Sequence, residues 1–435
     1  MTLRAHIAYL GVAFGVGAFS AFNNFTLSLW LAAMTSSYLL IGLLSNTRSF
    51  EGALVSPLFG AWSDRTWAGW LGRRRPFILV GGLLSALLLA LTPAISRLPA
   101  PVLGWLPSDV GRLAPAIAAI FLFTFAFNTM DDVHKALLAD LTEGAARNRL
   151  AALRVVVEMA GQVGILVLGF LLWRDGVGDD AFVVAGGLMA VGVVVTVWGV
   201  REPAPAVWEA ERGAEAAAES SLSPRRILAL YPGAVMFCLV MFAYWSGVNA
   251  VLPLVSIYIV DILHGSVGEA QLLPALLLLS TTALAIPVGY LGTRYGKRRM
   301  MAAGFVVMGL AGLAGLVITT VGQGVALFLL AGVGNAAILV LTIPLMADLV
   351  PRHHMGGATG LLAASGSVAA PLASLLGGSL SDLYGPRAIF AMMTVSTCAA
   401  MVLMLAVRLP RPAVPAHTPT APRGPTAAEA PAGGG

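Results

Sequence analysis

Long apolar runs separated by short polar loops make up most of the chain. They occupy 7–33, 37–62, 76–95, 113–136, 151–173 and 181–200, and after a polar stretch 231–259, 271–292, 300–320, 325–347, 357–380 and 387–408. A helix needs about 20 apolar residues to cross a bilayer, and these runs are continuous rather than alternating in period two. The pattern predicts an all-α integral membrane protein with twelve transmembrane helices in two bundles of six.

The polar stretches also set the predicted domain boundaries. We expect a six-helix bundle over 1–201, a cytoplasmic linker over 202–226, a second six-helix bundle over 227–409 and a tail over 410–435. The tail is rich in proline, alanine, threonine and glycine. Such a segment buries too little apolar surface to fold, so we expect it to be disordered.

Composition and motifs exclude other classes of protein. Hydrophobic residues make up 58% of the chain and charged residues 11%, whereas soluble proteins carry about 25% charged residues. The two cysteines lie inside apolar runs, and the sequence has no metal-ligand cluster, nucleophile–base pair or phosphate-binding loop. We therefore expect no enzymatic activity, no cofactor or metal, and no nucleic-acid partner.

The basic residues predict the orientation of the chain. With the N-terminus placed inside, twenty basic residues fall in cytoplasmic segments, and the outer loops keep only Arg97, Arg112, Arg174 and Arg387. Basic residues concentrate on the cytoplasmic side of membrane proteins. We expect a multi-pass protein of the cell (inner) membrane with both termini in the cytoplasm.

The second half of the chain repeats two loop patterns of the first half in the same order. Gly-Ala-Trp-Ser-Asp-Arg and Gly-Arg-Arg-Arg follow the second span, a glycine- and arginine-rich segment follows the eighth, and Ala-Asp-Leu follows both the fourth and the tenth. Glycine allows tight turns, and aspartate can pair with the loop arginines to latch the two halves together on the cytoplasmic side. Setting topology and binding anionic lipid is a second role, which can coexist with the first. The candidate gating residues are Gly60, Asp64, Arg65, Gly72, Arg73, Arg74, Asp140, Arg294 and Asp348.

These loops resemble the signature of the major facilitator superfamily, which implies two pseudo-symmetric six-helix bundles and transport by alternating access. The segment from Ser63 to Ile78, and Asn128-Thr129 with the following 136–141, are similar to the sucrose–proton symporters and the related glycoside–pentoside–hexuronide cation symporters. Two departures stand out. Thr124 lies where the sucrose symporters carry an aspartate, and Lys135 replaces their usual arginine.

Six charged residues fall inside the predicted spans: Arg48, Glu51, Asp131, Asp132, Arg154 and Glu158. A charge within a span costs about 2.5–3.5 kcal/mol, so it marks a functional site by default. We expect one carboxylate to bind and release a proton during transport, with Asp131 or Asp132 favoured and Glu158 next. The alternative is an ion-pair network that only holds the first bundle together.

Polar and aromatic residues in the spans are candidates for binding the solute. They are Asn23, Asn24, Asn128, Gln162, Tyr244, Trp245, Asn249 and Asn335. Amides and aromatic rings suit a sugar-like polar solute, so proton-coupled symport of such a solute is the first hypothesis, with protons and membrane lipids as further partners and a monomer as the expected state. The alternatives are a proton-coupled exporter of amphiphilic compounds and a non-transporting pigment or lipid assembly factor on the same fold.

Overall fold

The computed structural model describes residues 3–63, 66–99, 108–142, 144–202, 229–351 and 354–407, and the described parts are almost entirely helical. The helices of the N-half are α1 (Leu3–Ala21), α2 (Leu27–Ala32), α3 (Tyr38–Leu44), α4 (Thr47–Ser63), α5 (Arg75–Ser96), α6 (Ser108–Leu141), α7 (Gly144–Leu172) and α8 (Asp179–Gly199). Those of the C-half are α9 (Pro232–Val251), α10 (Val255–Asp261), α11 (Val267–Tyr295), α12 (Lys297–Val317), α13 (Val321–Leu349), α14 (Met355–Tyr384) and α15 (Ala388–Ala406).

These helices build the twelve predicted spans. Among the described residues, 11 helical segments are long and apolar enough to cross a membrane. The second span falls outside that set because it is divided into α3 and α4. Several helices run past the predicted ends: α6 continues to Leu141 because its last turns are polar but still helical. Of the predicted linker only Glu202 is described, and the predicted tail lies outside the described residues.

The first two spans contain the irregular backbone of the N-half. A π-helical turn, Phe22–Thr26, joins α1 to α2, and the second span breaks at Ser45 and Asn46. The Asn23 amide donates to the Ser45 carbonyl at 2.7 Å. Backbone groups freed inside a membrane need such partners, so Asn23, a predicted solute ligand, supports the break in the second span.

The crossing of α1 and α7 depends on two glycines. A Cβ on Gly17 would lie 1.9 Å from the carbonyl oxygen of Glu158, and one on Gly161 would lie 2.1 Å from that of Phe14. Only glycine permits this approach, as in other small-residue crossings of membrane helices. The crossing fixes the turn of α7 that carries Glu158.

The two halves meet at the end of the bundle opposite the arginine-rich loops, which we call the outer end. Here Asp382 of α14 accepts hydrogen bonds from the backbone N–H of Tyr38 at 2.6 Å and of Leu39 at 3.2 Å. Thr26 donates to Gln271 at 2.9 Å. Asn46 donates to the Ala370 carbonyl at 3.2 Å and to the Ser374 hydroxyl at 2.7 Å. If the arginine-rich loops face the cytoplasm, as their charge predicts, this arrangement is the inward-facing state.

Candidate transport site

The buried charges of the N-half converge on Asp131, whose side chain is only 3% exposed. Its carboxylate lies 2.7 Å from Lys135 Nζ, 2.9 Å from an Arg154 nitrogen and 3.9 Å from an Arg48 nitrogen. Lys135 also lies 3.3 Å from Asp132. The residues come from the second, fourth and fifth spans, so the cluster ties three helices of the N-half together.

Arg154 links this cluster to a second acid. The same guanidinium nitrogen that contacts Asp131 lies 3.8 Å from the Glu158 carboxylate, whose side chain is 23% exposed. Gln162, one turn further along α7, lines the cavity between the halves. Residues four apart share a helix face. Arg154, Glu158 and Gln162 therefore form one stripe from the buried cluster to the cavity.

Arg48 and Glu51 share a helix face, but their described contacts go to different neighbours. Arg48 donates to the Ser20 hydroxyl at 2.6 Å and lies over the Phe127 ring at 5.0 Å. Glu51 lies beside the hydroxyl of Thr124, and its Oε2 has no hydrogen-bond partner in the described part of the chain. Glu51 thus brings a carboxylate from the second span to the position where the resemblance placed an aspartate on the fourth.

A cavity lies between the halves. Its polar lining comes from Asn24, Gln162, Trp245 and Asn335, all predicted as solute ligands. The rest of the lining is apolar and comes mainly from the C-half. Sequence analysis missed this apolar wall. None of the described lining residues is charged.

The other predicted ligands lie outside this lining. Asn128 donates to the Arg48 carbonyl at 3.0 Å, and Asn249 donates to the Trp245 carbonyl at 2.9 Å. The fully buried Tyr244 donates its hydroxyl hydrogen bond to Asn335. Together with Asn23, these side chains satisfy backbone or side-chain partners within one half.

A model of the Major Facilitator Superfamily matches residues 9–256 and 237–432. The chain belongs to this superfamily. Its members are transporters, so the chain is a multi-pass membrane transport protein rather than an enzyme. The predicted fold class is confirmed.

Solved structures of major facilitator transporters share the fold at low sequence identity. A variant of the nucleoside transporter NupG is 12% identical with a TM-score of 0.71, covering 93% of this chain and 99% of that one. A D-xylose–proton symporter is 15% identical with a TM-score of 0.67, covering 92% and 96%. A bacterial homologue of the human lysosomal transporter Spinster, inward-facing and occupied, is 13% identical with a TM-score of 0.66, covering 93% and 94%. No curated protein matches the sequence.

The first arginine-rich loop of this major facilitator protein is anchored within the N-half. Arg73 and Arg74 contact the Asp140 carboxylate at 2.5 Å and 3.0 Å. The Glu202 carboxylate accepts from the backbone N–H of Arg73, Arg74 and Arg75 at 2.8–2.9 Å. These described contacts hold the loop to the N-half. The predicted latch, which would join the halves in one conformation and release in the other, stays a prediction.

Three further gating candidates, Gly72, Arg294 and Asp348, also have described contacts within their own half. Gly72 has φ +79°, and a Cβ there would lie 2.9 Å from the Glu202 carboxylate carbon. In the C-half, Asp348 lies 2.7 Å from Lys297, and Arg294 lies over the Tyr295 ring. Gly60 lies in α4. Asp64 and Arg65 lie outside the described residues.

Proposed function

We propose that this protein is a proton-coupled secondary transporter that carries an uncharged solute by alternating access. One observation carries the proposal: the Arg154 guanidinium is shared between buried Asp131 and Glu158, one turn from the cavity. A charge network that ends one helical turn from the solute cavity can provide the link that coupling requires. We further expect a monomer in the cell (inner) membrane with both termini in the cytoplasm.

Within this network we propose Glu158 as the proton carrier and Asp131 as a fixed anion. Protonating Asp131 would leave Lys135, Arg154 and Arg48 facing one another without the carboxylate between them. Glu158 has a single described ion pair, with Arg154 at 3.8 Å, and Arg154 keeps its contact with Asp131 when Glu158 is neutral. The favoured site therefore moves from Asp131 or Asp132, the first choices from the sequence, to Glu158.

A sugar-like solute remains the proposed class of cargo. Symport with protons remains the proposed mode of coupling. The amides of Asn24 and Gln162 and the Trp245 indole supply hydrogen-bonding groups and an aromatic face in the cavity. The D-xylose–proton symporter among the similar structures is consistent with this class. Export of an amphiphile is the second candidate, because the C-half lining is apolar.

The test is paired uptake and counterflow in proteoliposomes, with labelled xylose, glucose and sucrose and an imposed pH gradient. Glu158→Gln should abolish accumulation of solute against its own concentration gradient. It should retain counterflow, because exchange of solute needs no net proton movement. Asp131→Asn should lose both, since removing one partner of a buried ion pair costs about 3–5 kcal/mol. Glu269→Gln, at the start of α11, is the matched control and should behave like the unmodified protein.

One pattern of results would reject proton coupling. If the neutral variants of Glu51, Asp131, Asp132 and Glu158 all still concentrate solute in response to the pH gradient, no buried acid carries the proton. Facilitated diffusion or coupling to sodium would then describe the protein better.

A further inference from the structure

We infer that the solute is an uncharged amphiphile, with its polar end against the N-half and an apolar body of about the size of a phenyl ring in the C-half. This inference rests on the proposed function for the identity of the cavity as the solute site, and it narrows the sugar-like class to sugars and other polyols that carry an apolar substituent. It starts from the division of the cavity lining. The N-half contributes Asn24, Phe25 and Gln162, and nearly all of the C-half lining is aliphatic or aromatic.

Two amides with free hydrogen-bonding groups lie at the N-half end. Asn24 makes no hydrogen bond among the described contacts, and the nearest described partner of the Gln162 amide nitrogen is the Met159 sulfur at 3.9 Å. Asn335, the amide on the C-half side, is already engaged: Tyr244 donates to its oxygen, and its nitrogen donates to Thr281 at 3.1 Å. Polar recognition is therefore concentrated on Asn24 and Gln162, and on the C-half side the Trp245 indole N–H adds a single donor.

The C-half end is deep and apolar. Leu277, Leu327 and Phe328 line it from the eighth and tenth spans, and Met308 and Phe390 extend it to the ninth and twelfth. Hydroxyl groups placed against these side chains would give up water without gaining partners. A simple sugar would leave this wall uncovered or its own hydroxyls unsatisfied, whereas an apolar body would cover it.

The volume of the whole cavity sets an upper limit on the size of that body. Its volume is about 170 Å³, close to that of apolar protein cavities of about 150 Å³ that bind benzene. No charged side chain lies among the described lining residues, so a charged group on the solute would have no counter-ion there. An uncharged molecule with a small hydroxyl- or amide-bearing end and one ring or short alkyl chain fits both ends.

The experiment is titration calorimetry on the full chain in lipid nanodiscs, without a pH gradient. Two probe pairs are compared, glycerol with 3-phenoxy-1,2-propanediol and glucose with phenyl glucoside. We expect the phenyl member of each pair to bind about tenfold more tightly or better, from the apolar area that the ring buries. Equal affinities within both pairs would overturn the inference, and this comparison needs no variant.

Variants then locate the apolar end. Ala331→Phe places a ring in the cavity wall and should weaken binding of the phenyl member more than binding of the parent polyol, which removes the phenyl advantage. Leu330→Phe is the matched control, because Leu330 is the neighbouring residue and lies outside the cavity lining, 39% exposed. Asn24→Ala should weaken both members of a pair by a similar factor. Loss of the advantage in Leu330→Phe, or its survival in Ala331→Phe, would contradict the assignment.

The two proposals fail separately. If phenyl probes bind through Ala331 but no probe accumulates in a pH gradient, proton-coupled transport fails and the amphiphile site stands. If free sugars accumulate with the gradient and phenyl groups bring no advantage, transport stands and the amphiphile site fails.

Discussion

Replacing Asp382 by alanine should shift the protein away from the conformation seen here. The Asp382 carboxylate of the C-half accepts from the backbone of Tyr38 and Leu39 and from the Ser37 hydroxyl at 3.1 Å, all in the N-half. These hydrogen bonds exist only while the halves touch at the outer end. Their loss therefore destabilises the outer-closed state and leaves the outer-open state unaffected.

The size of the shift follows from the geometry. A net hydrogen bond contributes about 0.5–1.5 kcal/mol, and these three are exposed to solvent, so the lower value applies to each. The sum, about 1.5 kcal/mol, corresponds to roughly a tenfold change in the ratio of the two conformers. Asp382→Asn should shift the ratio in the same direction, because its amide nitrogen cannot accept from the Leu39 N–H.

Distances between spin labels on Met34 and Leu383 report the change. Both side chains are exposed at the outer end, one on each half, and Cys238 and Cys398 are first replaced so that no native thiol is labelled. We expect a longer distance to gain population in Asp382→Ala.

The matched control is Asp179→Ala, which removes the 2.8 Å ion pair with Arg97 inside the N-half. It should leave the distance distribution unchanged. An unchanged distribution in Asp382→Ala, or the same shift in both variants, would refute the assignment of Asp382 to closure at the outer end.

Two further predictions concern close packing and the loop anchor. Gly378→Ala should also disfavour outer closure and slow transport, because its Cβ would lie 2.6 Å from the Leu39 Cα. The control is Gly360→Ala on the same helix, where a Cβ would have nothing within 4 Å. Equal transport rates in the two variants would contradict the prediction. Glu202→Gln should lower the free energy of unfolding by about 1–3 kcal/mol, since a charged acceptor of three backbone N–H groups becomes neutral. Thermal unfolding in detergent measures the change. An unchanged midpoint would contradict the assignment of Glu202 as the anchor of the arginine-rich loop.

The sequence was sufficient for the spans because apolar runs of membrane length have few alternative structures. It was less informative about partners. The spacing of Arg48 and Glu51 places them on one helix face but does not show which neighbouring helix that face contacts. In the structure Arg48 contacts Asp131 and Ser20. Neither residue of the break in the second span, Ser45 or Asn46, is a proline or glycine. The only local signal was the polar run Ser45-Asn46-Thr47, which is also compatible with a continuous helix.

The apolar wall of the cavity could not be predicted from the sequence, for a different reason. Lipid, a neighbouring helix and an apolar cavity all favour apolar side chains. The sequence therefore cannot show which of the three environments Leu327 and Phe328 face. Asn23 and Asn24 are adjacent and chemically identical, yet the first supports backbone and the second faces the cavity. The π-helical turn that contains both sets this division.

Several of the hydrogen bonds at the outer contact are made to main-chain atoms rather than to side chains. Asp382 binds two backbone N–H groups, and Asn46 binds the Ala370 carbonyl. Every amino acid except proline offers the same N–H, and every amino acid offers the same carbonyl. Residues 39 and 370 can therefore change in evolution while the contact persists, and selection acts on Asp382 and Asn46. Side chains on the surfaces where the halves meet, and at the entrance that a solute passes, can therefore be substituted while the hydrogen bonds that close the outer end are kept.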